Sequence, residues 1–376
     1  MDKHLHIINF TVPYPADYGG VIDLFWKLPA LQAQGVKIHL HCFDYGRGKQ
    51  SELNKYCASV DYYERSKGLR GFNLNLPYIV SSRKNEMLFN NLLKDDYPIL
   101  MEGIHSSALL NDERFSHRKK FVRIHNVEFE YYKDLSRNAT SFFNKMYYLR
   151  ESALLRKYEY NIVNKANAFW GVTIKDVDVY RNELGCTTID YLPLYLPENW
   201  TVNTQEGFGS YCLYQADLSV DANEKAAIWL LENIFNTLEI PFVIAGKKPS
   251  NYLQKAAHRL QHTCIVANPD EKEMQDMIAK AHVNILPSFS ISGIKLKLIN
   301  ALFKGKHCVV NTASVAGSTL EQLCHIADDV EGMQKIIKQL FEQPYSISEI
   351  GMRTQLLQQT FNNEKNAKQQ VQWIWN

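Results

Sequence analysis

The chain has 376 residues, 45% of them hydrophobic and 22% charged, with 42 basic side chains against 40 acidic ones. That length suits two domains better than one core, and a formal net charge of +2 gives no whole-molecule field for nucleic acid or an anionic membrane. No apolar stretch approaches the ~20 residues needed to cross a bilayer, and the seven cysteines are dispersed without a Cys-x-x-Cys pair, which reads as reduced thiols in a cytoplasmic protein.

The opening MDKHLHIINF runs straight into a strand pattern and lacks the apolar core of a signal peptide. Strands are predicted over 4–10, 36–43, 97–102, 120–124, 168–172 and 188–192. His4, His6, His39 and His41 alternate within two of them and read as packing residues. Between the first strand and the first helix lies PYPADYGG, residues 13–20. Its paired Gly19 and Gly20 let backbone approach a ligand and aim amides at it; a plain tight turn is the alternative. His105 follows the end of the strand over 97–102. In FVRIHNVEFEYY, residues 121–132, His125 comes directly after a strand, where a neutral imidazole can take a proton or hydrogen-bond a hydroxyl near pH 7. Glu128 follows in the same loop. Aromatic and basic residues over 131–160 suit an acceptor site, a lipid-facing edge, or simply an amphipathic helix.

The alternation of strand and helix breaks over 193–209, PLYLPENWTVNTQEGFG, which reads as an interdomain linker. Beyond it strands are predicted over 210–214, 241–245, 263–267, 283–287 and 306–311, with helices over 223–236 and 271–282. Lys247 closes one strand, within reach of a phosphate or of solvent. Cys42, Cys212, Cys264 and Cys308 lie inside apolar runs, where cysteine behaves as a small core residue. In ILPSFSISGIKLKLINALFKGKHCVVNT, residues 285–312, a strand leads through Gly293 into a helix with Lys295 and Lys297 in its first turn. A helix start offers unpaired N–H groups and a positive dipole end, so this segment can cradle a diphosphate; a solvated helix start is the alternative. Two tryptophans near the end of the tail, 361–376, must dock on the first domain or on the second. The class is α/β: two Rossmann-like domains with parallel sheets facing across a cleft, where the carboxyl ends of the strands bind ligands.

Residues 285–312 resemble the donor-binding segment of family-four glycosyltransferases of the GT-B fold, in the bacterial branch with Gly-Ile-Lys-Leu-Lys. The likeness covers Gly293, Ile294, Lys295, Leu296, Lys297, Ala301, Gly305, Val309 and Val310. The family's ribose-binding glutamate falls on Asn300, and an earlier glutamate would fall on Ser292. Residues 13–20 resemble the family's Gly-Gly loop, and 121–132 its cleft histidine followed by acidic and aromatic residues. Tyr214–Leu218 with Asn223, Ile244–Lys247 and Asn268–Glu271 resemble further family segments in the right order. The arginine that many relatives carry beside the first loop of the second domain has no counterpart between Tyr214 and Asn223.

The resemblance implies transfer of a hexosyl-type group from a nucleoside diphosphate sugar to a hydroxyl of a glycan or lipid-linked acceptor, with retention at the anomeric carbon. Lys295, Lys297 and the Gly293 loop would hold the departing diphosphate together with Gly19 and Gly20, and Lys247, Ile294 and Asn300 would join the donor site. His125 would orient the acceptor, with His105 and Glu128 as secondary candidates. The scheme needs no metal and no cofactor beyond the sugar nucleotide, and it allows peripheral contact with the inner face of a membrane. Two other readings stay open: a sugar-nucleotide 2-epimerase of the same fold, and a catalytically silent subunit that binds sugar nucleotides.

Overall fold

The computed structural model describes residues 2–376 except Tyr18, Thr140, Ile291 and Ser292. The expected counterpart of the earlier family glutamate, Ser292, therefore lies outside the described residues, as does Tyr18 of the glycine loop. The chain forms two compact units, residues 1–197 with 361–376, and residues 198–360.

The first unit is built on β1 (Lys3–Asn9), β2 (Val36–Asp44), β3 (Ser59–Glu64), β4 (Ile99–Glu102), β5 (Lys120–Ile124), β6 (Ala168–Gly171) and β7 (Ile189–Tyr191). They lie in the order β3-β2-β1-β4-β5-β6-β7, and every neighbouring pair is parallel. The apolar strands explain the burial of both faces. One face packs Ile8, Met101, Val122 and Phe169 against Leu155 and Ile162 of the Phe142–Ile162 helix. The other packs Ile7, Leu40, Leu100 and Trp170 against Phe25 and Leu28. The C-terminal Asn363–Trp375 helix closes this second face: Trp373 stacks on Trp170 at 5.7 Å, and Tyr195 Oη pairs with Gln370 Oε1 at 2.7 Å.

The second unit has β8 (Cys212–Asp217), β9 (Phe242–Lys247), β10 (Thr263–Ala267), β11 (Val283–Ile285), β12 (His307–Val310) and β13 (His325–Ile326) in the order β10-β9-β8-β11-β12-β13. Its strands are parallel as well. In each sheet the strand order reverses direction once, between β1 and β4 and between β8 and β11. At such switch points the following loops part and leave room for a ligand.

Three details depart from the sequence reading. The edge strands β3 and β13 were not anticipated: SVDYYE is largely polar, and β13 spans only two residues. Cys264 is exposed rather than core, because it sits on edge strand β10. The histidines of β1 and β2 are more than packing. Asp95 accepts from His6 Nε2 at 2.9 Å, so neutral His6 accepts at Nδ1 from His41 Nε2, also at 2.9 Å. His41 Nδ1 then accepts from the Tyr63 hydroxyl at 2.9 Å, which in turn accepts from Asn91 Nδ2. Each donor in this chain has one acceptor, which fixes the tautomers.

Candidate active site

In the first unit the segment after β1 leads into the Gly19–Ala33 helix, with Gly19 and Gly20 exposed at its start. Arg47 holds the preceding loop, donating to the carbonyls of Tyr14 and Pro15 and to Asp17 Oδ1. One turn into that helix, two ionised side chains face the sheet. Asp23 and Lys27 are buried at i and i+4, 3.1 Å apart. Lys27 Nζ also lies 2.5 Å from Glu102 Oε1, at the carboxyl end of β4. Arg123 of β5 donates to both oxygens of Asp23 and to the carbonyls of Leu192 and Pro193. Asp23 Oδ1 further accepts from the Tyr195 amide at 2.8 Å.

Buried charges survive only when paired and fully hydrogen-bonded, and here two cations meet two carboxylates. Burial opposes ionisation of Asp23, but the charges of Arg123 and Lys27 outweigh it and hold the carboxyl below its ordinary range. Glu102 follows the same pattern, with Lys27 and the hydrogen bond from His125 overcoming burial.

His125, on the first residue after β5, lies at the outer edge of this network. Its Nε2 is 2.9 Å from Glu102 Oε2, and its Nδ1 is 4.0 Å from Asp23 Oδ2. Only 16% of its side chain is exposed. Glu102 accepts the Nε2 proton, which leaves the ring's lone pair on Nδ1. Asp23, Glu102 and His125 have ligand atoms within 4.8 Å of one another. Lys27 and Arg123 already neutralise the two carboxylates, which makes the trio a poor cation site and a good orienter of the imidazole.

The other predicted groups of this unit are placed differently. His105 is stacked on Phe10 at 4.8 Å. Burial and the Arg83 charge hold its imidazole well below the usual pKa, and its Nδ1 makes no hydrogen bond among the described residues. Glu128 is buried at the start of the Glu128–Asn138 helix, and burial pushes its carboxyl up to about 7. The amides of Glu128 and Phe129 donate to Glu159, itself pushed up to about 8 by burial. Glu128 thus belongs to the interior of the helix start rather than to an open surface. Asp23, Lys27, Glu102 and Arg123 were not anticipated.

In the second unit Gly293 has φ +66°, the left-handed region that favours glycine. Lys295 occupies the N-cap position of the Leu296–Lys304 helix and Lys297 its second residue. Lys295 Nζ donates to the Gly293 carbonyl at 3.2 Å. Lys297 Nζ lies 3.1 Å from Asn223 Oδ1, 3.4 Å from the Tyr214 hydroxyl and 5.0 Å from the Tyr214 ring centre. Among the described residues it has no carboxylate partner. Burial first, and the Lys295 charge second, push its ammonium down to about 8. Gln215 Nε2 donates to the Lys297 carbonyl, fixing the helix start against β8. One turn on, Asn300 is buried, and its Oδ1 has no hydrogen-bond partner among the described residues. At Gly305 an added Cβ would come within 2.8 Å of the Ala301 carbonyl, so only glycine fits where the helix turns into β12. Lys247 is exposed at the carboxyl end of β9, the same end of the sheet as Gly293 and Ile294.

Residues 210–343 match the family described as glycosyl transferases group 1. A Klebsiella pneumoniae protein described as an uncharacterized 44.6 kDa protein in a cps region is 24% identical over 353 residues, 88% of this chain and 89% of the relative. Among solved structures, TarM superposes with a TM-score of 0.70 at 10% identity, covering 100% of this chain and 99% of its own. HepE of Anabaena, in complex with UDP and glucose, gives 0.65 at 11% identity and 98% coverage of both chains. The UDP-forming α,α-trehalose-phosphate synthase of Burkholderia xenovorans, in complex with glucose-6-phosphate, gives 0.62 at 11% identity and 100% coverage of both. These structural likenesses establish the two-unit α/β fold, with one parallel sheet in each unit, as GT-B.

Proposed function

We propose that this glycosyltransferase is a retaining enzyme of family four, moving a sugar from a nucleoside diphosphate sugar to a hydroxyl acceptor in glycan or polysaccharide synthesis. One observation carries the reading: among the described residues Lys297, a shielded cation at a helix start, has only neutral oxygen partners. An ammonium held in that way is under-compensated, and a diphosphate supplies the missing charge. The first-turn amides and the helix dipole add to it. The Asn300 carbonyl, without a hydrogen-bond partner among the described residues, accepts from a ribose hydroxyl, a task that needs an acceptor and not a formal charge.

As the bond to the leaving group lengthens, negative charge grows on the diphosphate and positive charge on the sugar. Cations and dipoles fixed beforehand stabilise the first without reorganising. Lys297, Lys295 and the Gly293 loop do this in the second unit, where Lys247 is exposed at the same end of the sheet. The leaving phosphate takes the acceptor proton, and His125, held by Glu102, orients the acceptor hydroxyl through Nδ1. The scheme calls on no metal. The HepE and trehalose-phosphate synthase structures make UDP the first nucleotide to try, and the relative in a cps region fits a polysaccharide product.

A lipid-linked acceptor fits one further feature. Leu69, Leu74, Phe142 and Phe143 are 70% or more exposed in the first unit, and Arg150 ties the two segments together, packing 4.8 Å over Phe72 and donating to the carbonyls of Asn73 and Leu74. With Lys67, Arg70 and Lys145 exposed nearby in sequence, this apolar face with basic flanks suits an anionic membrane surface. Among the described residues no helix is long and apolar enough to cross a membrane.

A thermal-shift screen of UDP-, GDP-, ADP- and CMP-sugars, followed by donor hydrolysis and transfer assays, tests the proposal. Stabilisation by one nucleotide class with turnover supports it. Binding without turnover across a range of acceptors identifies a silent subunit, and interconversion of the free sugar nucleotide identifies an epimerase.

A further inference from the structure

The β12–β13 edge of the second sheet carries a second cluster of ligand-type side chains. His307 opens β12, His325 opens β13, and Glu349 lies in the first turn of the Ile347–Thr360 helix. One ligand atom from each lies within 4.8 Å of the other two. His307 is 2% exposed, while His325 and Glu349 are half-buried.

The hydrogen bonds around the cluster leave its inward atoms available. His307 Nε2 points at the Gln343 carbonyl, 3.3 Å away. A carbonyl can only accept, so the ring proton is on Nε2 and the lone pair on Nδ1. That Nδ1 is buried and makes no hydrogen bond among the described residues, although Glu349 Oε1 is only 3.1 Å away. Close approach without hydrogen-bond alignment is the relation of two ligands to one ion, which at ~2.1 Å from each places them about 3.4 Å apart. Glu349 is set from the other side: Ser346 donates to its Oε2 from both backbone N and Oγ, at 3.0 and 2.7 Å, and Oε1 is left for the cluster. An imidazole fixed by a carbonyl and a carboxylate fixed by its second oxygen are the outer contacts that metal ligands characteristically carry.

We infer that His307, His325 and Glu349 form a site for a divalent zinc-type ion that fastens the Ile347–Thr360 helix to the β12–β13 edge. Two imidazoles and one carboxylate suit zinc better than magnesium or calcium, which prefer all-oxygen sets. Water completes the coordination from the half-exposed side. Arg353, one turn along the same helix, is engaged elsewhere: it donates to the Gly305 carbonyl at 2.9 Å and stacks 4.9 Å over Tyr345. Held by residues of the β12–β13 edge and the Ile347–Thr360 helix, none of them in the donor segment, the ion is structural and takes no part in transfer.

The full chain purified with zinc and then desalted is to be assayed by elemental analysis, and its Tm recorded with zinc chloride and again after EDTA. One zinc per chain and a Tm rise that EDTA reverses are expected. His325→Ala and Glu349→Gln should each lose the bound zinc and the Tm rise. The glutamine keeps an acceptor for Ser346, so that variant tests ligation without uncapping the helix. Cobalt in place of zinc should give the visible bands of a four-coordinate site in the wild type alone. Wild-type protein without stoichiometric zinc, or variants that retain it, would overturn the site whatever the donor assays show.

Discussion

The two units handle positive charge in opposite ways. In the first, Lys27 and Arg123 are buried, and each is matched by a carboxylate at 3.1 Å or closer. The network is neutral and closed, and it serves to hold His125. In the second, Lys297 is shielded but among the described residues meets only an amide oxygen, a phenol and a ring face. A paired cation stabilises a fold only to the extent that its partner remains; one without a counter-charge is poised for an anion from outside. The first arrangement fixes the His125 ring by a closed set of ion pairs, and the second is the one proposed above to take an anion.

The sharpest break in this comparison comes from removing a partner in the first unit. Glu102→Ala leaves Lys27 with Asp23 alone and His125 without its orienting carboxylate. Loss of one member of a buried pair costs about 3–5 kcal/mol, so chemical denaturation should show a drop of that order together with loss of transfer activity. Wild-type stability would mean the pair is not buried as described.

Next in size is Lys297→Ala. Hydrogen bonds to charged groups contribute about 1.5–3 kcal/mol, so nucleotide affinity should fall roughly 10- to 100-fold by calorimetry while the unfolding midpoint hardly moves. The contrast with Glu102→Ala is the point: one residue should act on the fold, the other on the ligand.

A smaller effect concerns the interior carboxyls of the first unit. Burial raises Glu128 to about 7, Glu159 to about 8 and Asp176 to about 6. Acids raised above their unfolded values hold protons in the folded state that the unfolded chain has already released. Their contribution is therefore complete at acidic pH, declines as pH rises through the folded values and is lost above about 8. Urea midpoints should fall from pH 5.5 to pH 8.5, with a shallower fall in Glu159→Gln. A rise over that window would contradict the assignment.

The smallest change is expected from Asn300→Ala, which removes an acceptor that has no partner among the described residues. Stability should stay within about 1 kcal/mol and nucleotide affinity should fall a few-fold; a large loss of stability would show that the carbonyl is structurally engaged.

Much of the fold was legible because doubly buried parallel strands are short apolar runs between amphipathic helices, and the breakdown of that alternation over 193–209 falls where the two units meet in sequence. The edge strands escaped because edges are half-solvated: SVDYYE does not look like a buried strand. Of the residues proposed for the site, Gly293, Lys297 and His125 stand out within their own segments. The network around His125 was not, since it gathers residues 23, 27, 102, 123 and 195, which only the tertiary fold brings together. Its trace was nevertheless present, as lone charges inside apolar runs: Asp23 and Lys27 in VIDLFWKL, Glu102 in ILME and Arg123 in FVRI. Each should prompt a search for a buried partner.

The most direct test of the anion-accepting role of Lys297 is the proton balance of nucleotide binding. With its ammonium near pKa 8, part of the population is neutral at pH 8, and a bound diphosphate should restore the charge. Calorimetry with UDP at pH 8, in buffers of different ionisation enthalpy, should report proton uptake on binding that disappears in Lys297→Arg. Tight binding with no proton uptake, and with affinity unchanged in Lys297→Ala, would contradict it.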